Sequence, residues 1–397
     1  MPQTHAAVMP EQVTTSKFDQ RLQRRVPVSV LTGFLGSGKT TVLNHLVQDP
    51  ALNRTLVVIN EFGEIGLDHD LMAHSADRVV IEMSSGCLCC TIRGDLAETL
   101  REAPARFAQA GKPWFDRVVI ETTGLADPAP ILHTLMTESA IARRYRLDGV
   151  VATIDTVNGD DTLDRQVESV KQAAVADRLI LTKTDLAQPQ KLRALRDRLR
   201  ALNPGATQLI AEHGAIHPQS LFDAGLFNPT TKTPDVQRWL KSEAYTHPHG
   251  HQHGHQHGGH GHAHHHNQVN RHDAHIKALC VTIDEPISSA AFEAWLEVLL
   301  LYRGADFLRV KGIVNLAEFS GPVVIHGVQH IFPPAVPLEE WPSEDRRSRI
   351  VFITRDIDEA VLRDTLKLFT EAKAQPTTER LPERFGDGET PLPEVQT

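Results

Sequence analysis

Nine residues, Gly33 to Thr41 (Gly-Phe-Leu-Gly-Ser-Gly-Lys-Thr-Thr), have the types and spacing to hold a polyphosphate. They fit G-x-x-x-x-G-K-[ST], with an apolar run from Val26 to Leu31 ahead of them and a helical opening from Thr40 to Val47 behind. Gly33, Gly36 and Gly38 let the backbone wrap a phosphate with its N–H groups, where a Cβ would obstruct. Lys39 can reach the terminal phosphates, the Thr40 hydroxyl can ligate Mg²⁺, and Ser37 and Thr41 complete the loop. A helix N-terminus adds positive potential. This stretch implies binding of a nucleoside triphosphate.

Two further stretches bear on the identity of the nucleotide and on its hydrolysis. Thr182-Lys183-Thr184-Asp185 comes after apolar Leu179-Ile180-Leu181 and resembles the N-K-x-D guanine-reading loop of P-loop GTPases, with Thr182 in place of Asn. Asp185 can accept from both N1–H and N2–H₂ of guanine, a paired contact adenine does not offer. The stem of Lys183 can cover the ring face. Arg117 to Gly124 (Arg-Val-Val-Ile-Glu-Thr-Thr-Gly) is an apolar run ending in an acid and then a glycine. Glu121 there suits the surroundings of Mg²⁺ or a nucleophilic water, and Gly124 allows close backbone approach to a γ-phosphate. Asn60 to Asp68, with Glu61, Gly63 and Gly66, could order around a bound triphosphate and relax after hydrolysis.

The third chemistry is metal ligation. Cys87, Cys89 and Cys90 place three thiols within four residues, too close together for all to point into one apolar pocket. As thiolates they are soft ligands for Zn²⁺ or Cu(I). Cys90 stands just ahead of a helix expected over Ile92 to Glu102, whose positive end favours a thiolate. Zinc takes four ligands, so the fourth would be water, a carboxylate such as Glu61, or a group from a partner, and an incomplete shell favours exchange. Oxidation of vicinal thiols is the rival reading. Residues 247 to 266 hold half of the chain's 22 histidines and no large apolar residue, which suits a mobile tract of many weak metal sites or a solvated spacer. Cys280, in an apolar run, reads as a core residue.

The elements that must position these groups alternate along the chain. Expected strands are Val26 to Leu31, Thr55 to Ile59, Arg78 to Ile81, Arg117 to Ile120, Gly149 to Ile154, Arg178 to Leu181 and Thr207 to Ile210. Their continuous apolar character predicts a mostly parallel, doubly wound α/β sheet with both faces covered. Lys191 to Leu202 reads as a helix with Leu192, Leu195, Leu199 and Leu202 on one face. After the histidine tract, Ile276 to Ile283, Phe307 to Leu316, Val323 to His330 and Ile350 to Thr354 read as strands. Ala290 to Leu301 and Ile357 to Phe369 read as helices. That order predicts a smaller α+β domain with its helices on one face of an antiparallel sheet. The expected division is a disordered segment 1–25, a nucleotide domain 26–240, a His-rich linker 241–273, an α+β domain 274–370 and a flexible tail 371–397.

Composition agrees. The chain has 397 residues, 41% hydrophobic and 23% charged, enough for two cores. A formal net charge of −9 gives no electrostatic footprint for nucleic acid. No apolar run approaches a membrane span, the N-terminus lacks the pattern of a secretory signal, and four cysteines make no disulfide framework. A cytoplasmic protein with neither nucleic acid nor membrane as partner is expected.

Taken in order, Gly33 to Thr41, Asn60 to Glu64, Gly86 to Cys90, Glu121 to Pro128 and Thr182 to Asp185 resemble the CobW-type metallochaperone GTPases, relatives of the nickel-insertion GTPases of urease and hydrogenase. Arg309-Val310-Lys311-Gly312, ahead of a strand at 313, resembles the C-terminal domain of that family. The resemblance implies a P-loop fold and Mg²⁺-dependent GTP hydrolysis with Lys39 and Glu121 as catalytic residues. It also implies metal held by Cys87, Cys89 and Cys90, its transfer to a client apo-metalloprotein, and pairing of two copies through the nucleotide face. Thiolate ligation favours zinc as cargo. A cobalt chaperone for corrinoid assembly or nitrile hydratase, and a metal buffer or sensor that loads no client, stay open.

Overall fold

The computed structural model describes residues 25–60, 79–82, 90–109, 112–222, 275–333, 335–338 and 340–371. In chain order the strands are β1 (Val26–Gly33), β2 (Thr55–Asn60), β3 (Val79–Glu82), β4 (Ala108–Gln109), β5 (Lys112–Pro113), β6 (Arg117–Thr122), β7 (Tyr145–Asp155), β8 (Arg178–Thr182), β9 (Thr207–Ala211), β10 (Ile276–Ile283), β11 (Phe307–Val314), β12 (Val323–Gly327), β13 (Val336–Pro337) and β14 (Ser348–Arg355). The helices are α1 (Lys39–Gln48), α2 (Cys90–Arg106), α3 (Ala129–Thr137), α4 (Ser139–Ala142), α5 (Gly159–Arg165), α6 (Val167–Val175), α7 (Pro189–Leu202), α8 (Pro218–Leu221), α9 (Ser289–Arg303) and α10 (Glu359–Glu371).

Seven strands form one sheet in the order β3-β2-β6-β1-β7-β8-β9, and every pairing in it is parallel. Successive residues of a strand enter different cores, as the pleat requires. Leu56 and Val58 face the core shared with α2, α3, α6 and α7, whereas Val57 and Ile59 face the core shared with α1 and α8. Each of the seven expected strands is present, and each runs past the end of its apolar stretch. The polar residues Glu121, Thr122 and Thr182 stop the apolar run but still pair in the ladder. The strands therefore carry polar side chains at their carboxyl ends. β7 also starts earlier than expected, because Tyr145 to Leu147 pair with Val26 to Val28 before a register shift at Val28/Ser29.

Helix α2 begins at Cys90 rather than after it and continues through Pro104. Proline has no N–H to offer the carbonyl four residues back. Tyr145 supplies the missing donor, its hydroxyl reaching the Leu100 carbonyl at 2.8 Å.

The second sheet is antiparallel, in the order β10-β14-β11-β12-β13. Leu279, Val281, Ile350 and Phe352 face α9 and α10 around the fully buried Trp295. Ala278, Val351 and Ile353 face the other way, into the core that contains α6 and α7 of the first sheet. The helices thus cover one face, as expected, and the half built on the first sheet covers the other. Three details differ from expectation. Val323 to His330 ends as a strand at Gly327, because Gln329 takes φ 54° in a tight turn closed by a Val328–Ile331 bridge. Val336–Pro337 adds a short fifth strand at the edge, where proline's missing N–H costs no ladder bond. The strand expected over Phe307 to Leu316 contains Arg309 to Gly312 and ends earlier, at Val314.

Arg309 and Lys311 explain how the two halves are joined. Arg309 Nη2 donates to Asp177 Oδ1 at 2.9 Å, and Lys311 Nζ pairs with the same oxygen. The Val150 N–H of β7 donates to Asp177 Oδ2 at 2.8 Å. Asp177 is fully desolvated, which alone would raise its pKa, yet Arg309, Lys311 and Val150 hold its carboxyl well below the usual carboxylate range. His326 of β12 is buried beside this cluster.

Candidate functional site

The order of the first sheet reverses about β1, since β2 and β6 lie on one side of it and β7 to β9 on the other. Ligands of open α/β sheets bind at the carboxyl ends of the strands at such a reversal. The segments following β1, β6, β7 and β8 meet there.

The loop after β1 needs its glycines. Gly33, Gly36 and Gly38 take φ 141°, 69° and 93°, a region that L side chains rarely adopt. A Cβ on Gly33 would also run into Thr153 Oγ1. Gly38 caps α1 without a side chain, and no acid lies in the first turn, so no capping side chain competes with an anion at this helix N-terminus. Lys39 is only 5% exposed, and its ammonium lies 3.4 Å from the Phe34 carbonyl across the loop. Thr40 Oγ1 donates to Glu121 Oε1 at 3.1 Å, bringing together a hydroxyl and a carboxylate that the sequence separates by 81 positions. Glu121 is buried at the end of β6. These two hard oxygen groups beside a phosphate cradle fit Mg²⁺, which prefers oxygen ligands.

Gly124 follows two residues after β6. A Cβ there would lie 2.7 Å from Leu35 N, so only glycine lets this loop touch the phosphate-binding loop. Ser37 Oγ and Thr153 Oγ1 share a 2.6 Å hydrogen bond. Thr182 donates to the Ser37 carbonyl at 2.7 Å and to Ile154 O at 3.2 Å, which ties β8 to the phosphate-binding loop. The hydroxyl that stands where the resembling motif has an amide is therefore spent on backbone. Lys183 takes φ 57°, uncommon for a residue with a side chain, and its ammonium reaches Asp155 Oδ2 at 2.7 Å. Burial opposes charge on Asp155, but Lys183, Asn158 and the Val157 and Asn158 N–H groups together hold its pKa below the ordinary value. Asp185 is exposed beside this turn, and Thr41 is exposed on the first turn of α1.

The structure thus gathers Gly33, Gly36, Ser37, Gly38, Lys39, Thr40, Thr41, Glu121, Gly124, Thr182, Lys183 and Asp185 around one end of one sheet. Cys90 opens α2, and nothing further is described of its side chain. Glu61, Cys87, Cys89 and the histidine tract 247–266 lie outside the described residues, as do 1–24, all of the expected linker 241–273 and 372–397. Among the described residues there is no group of three or more metal-ligating side chains, and no helix is long and apolar enough to cross a membrane.

Sequence reasoning missed Asp155, Gly214 and Gln172. Asp155 carried a usable signal, an acid closing an apolar strand like Glu121. Gly214 fits because a Cβ would stand 2.7 Å from the Thr41 carbonyl, a closeness set by packing alone. Gln172 lies on α6, far along the chain from the loop it touches, and had no local signal.

Comparison with known proteins agrees with this architecture. Residues 27–210 match the model of the CobW/HypB/UreG nucleotide-binding domain, and residues 276–370 that of the cobalamin synthesis protein cobW C-terminal domain. The zinc chaperone YjiA of Escherichia coli (strain K12) is 30% identical over 338 residues, covering 85% of this chain and 96% of that protein. The zinc-regulated GTPase metalloprotein activator 1 of Schizosaccharomyces pombe (strain 972 / ATCC 24843) is 37% identical over 184 residues, 45% of this chain and 44% of that one. The crystal structure of Zn(II)-bound YjiA GTPase from E. coli superposes with a TM-score of 0.61 at 27% identity, covering 86% of this chain and 98% of that one. The chain belongs to the CobW/HypB/UreG family of P-loop proteins and carries the CobW-type C-terminal domain.

Proposed function

We propose that the chain is a GTP-hydrolysing metallochaperone that holds zinc at Cys87, Cys89 and Cys90 and passes it to a client apo-metalloprotein. The observation that carries this reading is the Thr40–Glu121 hydrogen bond at the mouth of the glycine cradle. It sets oxygen ligands for Mg²⁺ beside Lys39, at the place where terminal phosphates lie in loops of this kind. Mg²⁺, when bound, neutralises charge on the β- and γ-phosphates. Lys39 does the same from the protein side, Glu121 orients the Thr40 hydroxyl, and Asp185 supplies the carboxylate that selects guanine.

Zinc as cargo is supported by the names of the relatives, a zinc chaperone and a zinc-regulated GTPase activator. It is also supported by the position of Cys90 in the first turn of α2, where the helix favours a thiolate. Three thiolates with Glu61, water or a partner group as fourth ligand make a site open to exchange. The histidine tract would collect metal weakly, and pairing of two copies through the nucleotide face would close the site.

Two measurements on one preparation test the reading. GTP turnover, with and without Zn²⁺ at matched protein concentration, should be Mg²⁺-dependent and should respond to zinc; absence of turnover refutes the enzyme. Replacing Cys87, Cys89 and Cys90 together by alanine should remove the tightest zinc site while weak histidine binding persists. A tight site that survives places the cargo elsewhere.

A further inference from the structure

Helix α6 touches the phosphate end of the sheet through two adjacent side chains that the proposed chemistry does not use. Gln172 is 1% exposed, and its Nε2 donates to two carbonyls of the loop after β6, Gly124 O at 3.1 Å and Ala126 O at 3.0 Å. Both partners are acceptors, so the amide must present its nitrogen to them and the orientation is not ambiguous. Next to it, Lys171 Nζ pairs with Asp127 Oδ2 at 2.9 Å, and Asp127 Oδ1 accepts from the Ala129 N–H at the start of α3. Three of the four residues from Gly124 to Asp127 are therefore gripped from one helix. The same four residues include the glycine that packs against Leu35 of the phosphate-binding loop.

Holding a carbonyl also aims an N–H. In a trans peptide the two point in opposite directions, so fixing Gly124 C=O and Ala126 C=O on α6 turns the N–H groups of Leu125 and Asp127 away from it. Gln172 Oε1 is buried with no hydrogen-bond partner among the described residues. A buried acceptor left in that state is costly, and it is the atom that a rearranged loop could engage with a backbone N–H.

We propose that Gln172, assisted by Lys171, is a positioning residue for GTP hydrolysis: it sets the loop Gly124 to Asp127 against the phosphate-binding loop without touching the nucleotide. This rests on the reading of the chain as a GTPase. A loop displaced by about 1 Å loses on the order of 100-fold in rate when it positions reacting groups. Affinity for GDP, which lacks the terminal phosphate, does not depend on that placement.

The test uses the full chain as wild type, Gln172→Met (similar volume, no donor) and Lys171→Met. The readouts are kcat and KM for GTP, Kd for GDP and melting temperature. Gln172→Met should lower kcat by about 10- to 100-fold and leave GDP affinity within about twofold, and Lys171→Met should act in the same direction by a smaller factor. Unchanged kcat overturns the proposal, as does a loss of GDP affinity in step with kcat, the mark of a merely structural residue. If Gln172→Met does not fold, the partly exposed Lys171→Met decides by the same criteria. A wild type with no turnover defeats the GTPase reading and this proposal together, whereas turnover that both variants leave intact defeats this proposal alone.

Discussion

Two of the buried polar networks among the described residues are made of different chemistry. At the phosphate end, Ser37, Thr40, Thr122, Thr153 and Thr182 bond through hydroxyls, and Glu121 accepts from Thr40. At the junction of the two halves, Asp177, Arg309 and Lys311 bond as ions, with His326 beside them. A hydroxyl can donate or accept and can turn from one partner to another at small cost. A desolvated ion cannot leave its partner without a large penalty. The first network suits a surface that must take and release a ligand. The second suits a joint that must not move.

That contrast predicts which changes cost stability and which cost turnover. The largest effect is expected at the joint. Asp177→Ala removes the buried carboxylate that the buried Arg309 donates to and should cost about 3–5 kcal/mol, read by denaturant unfolding. A loss below about 1 kcal/mol would place the joint on the scale of exposed ion pairs. Next comes Lys39→Ala, which should lower GTP turnover by about 100- to 1000-fold with little change in melting temperature. Retained turnover would remove Lys39 from the phosphate site.

The joint should also respond to acid. Burial and the nearby Arg309 push the His326 pKa down to about 3 from 6.5, with Lys311 adding and Asp177 opposing. The unfolded chain takes up that proton near the ordinary value, while the folded chain resists it until about 3. The stability from a neutral His326 is therefore complete above 6.5 and is lost as pH falls toward 3. His326→Gln should flatten the acid limb of a stability–pH curve relative to wild type, and parallel curves would contradict the burial argument. Smallest is Thr182→Val, which removes the donor to Ser37 O at nearly constant shape. It should cost about 1 kcal/mol and weaken nucleotide binding more than it lowers melting temperature. The reverse order would make Thr182 a core residue and not a tie to the phosphate-binding loop.

The same two networks mark what could be read from the sequence. The phosphate-binding loop was legible because its glycines, Lys39 and Thr40 are consecutive and their chemistry is local. The seven parallel strands were legible because strands covered on both faces are continuous apolar runs separated by helical stretches. Strand ends were placed short because Glu121, Thr122 and Thr182 stop the apolar signal while still pairing. The joint was not legible. Arg309 and Lys311 stand out only as part of a motif, and Asp177 lies 132 positions from Arg309. The run Ile350-Val351-Phe352-Ile353 did hold a clue, since an antiparallel strand with no polar alternation must be covered on both faces. Gln172 was invisible for the same reason as Asp177, because its partners are near only in the folded chain.

The proposed function couples GTP hydrolysis at the phosphate end to release of zinc. Its direct test is zinc transfer from the zinc-loaded chain to a chromogenic chelator, with GTP, with a non-hydrolysable GTP analogue and with GDP. A variant lacking residues 247–266 excludes any contribution of the histidine tract. Transfer should be faster with GTP than with the analogue, and Lys39→Ala should abolish the difference. Equal rates with GTP and the analogue would contradict release driven by hydrolysis.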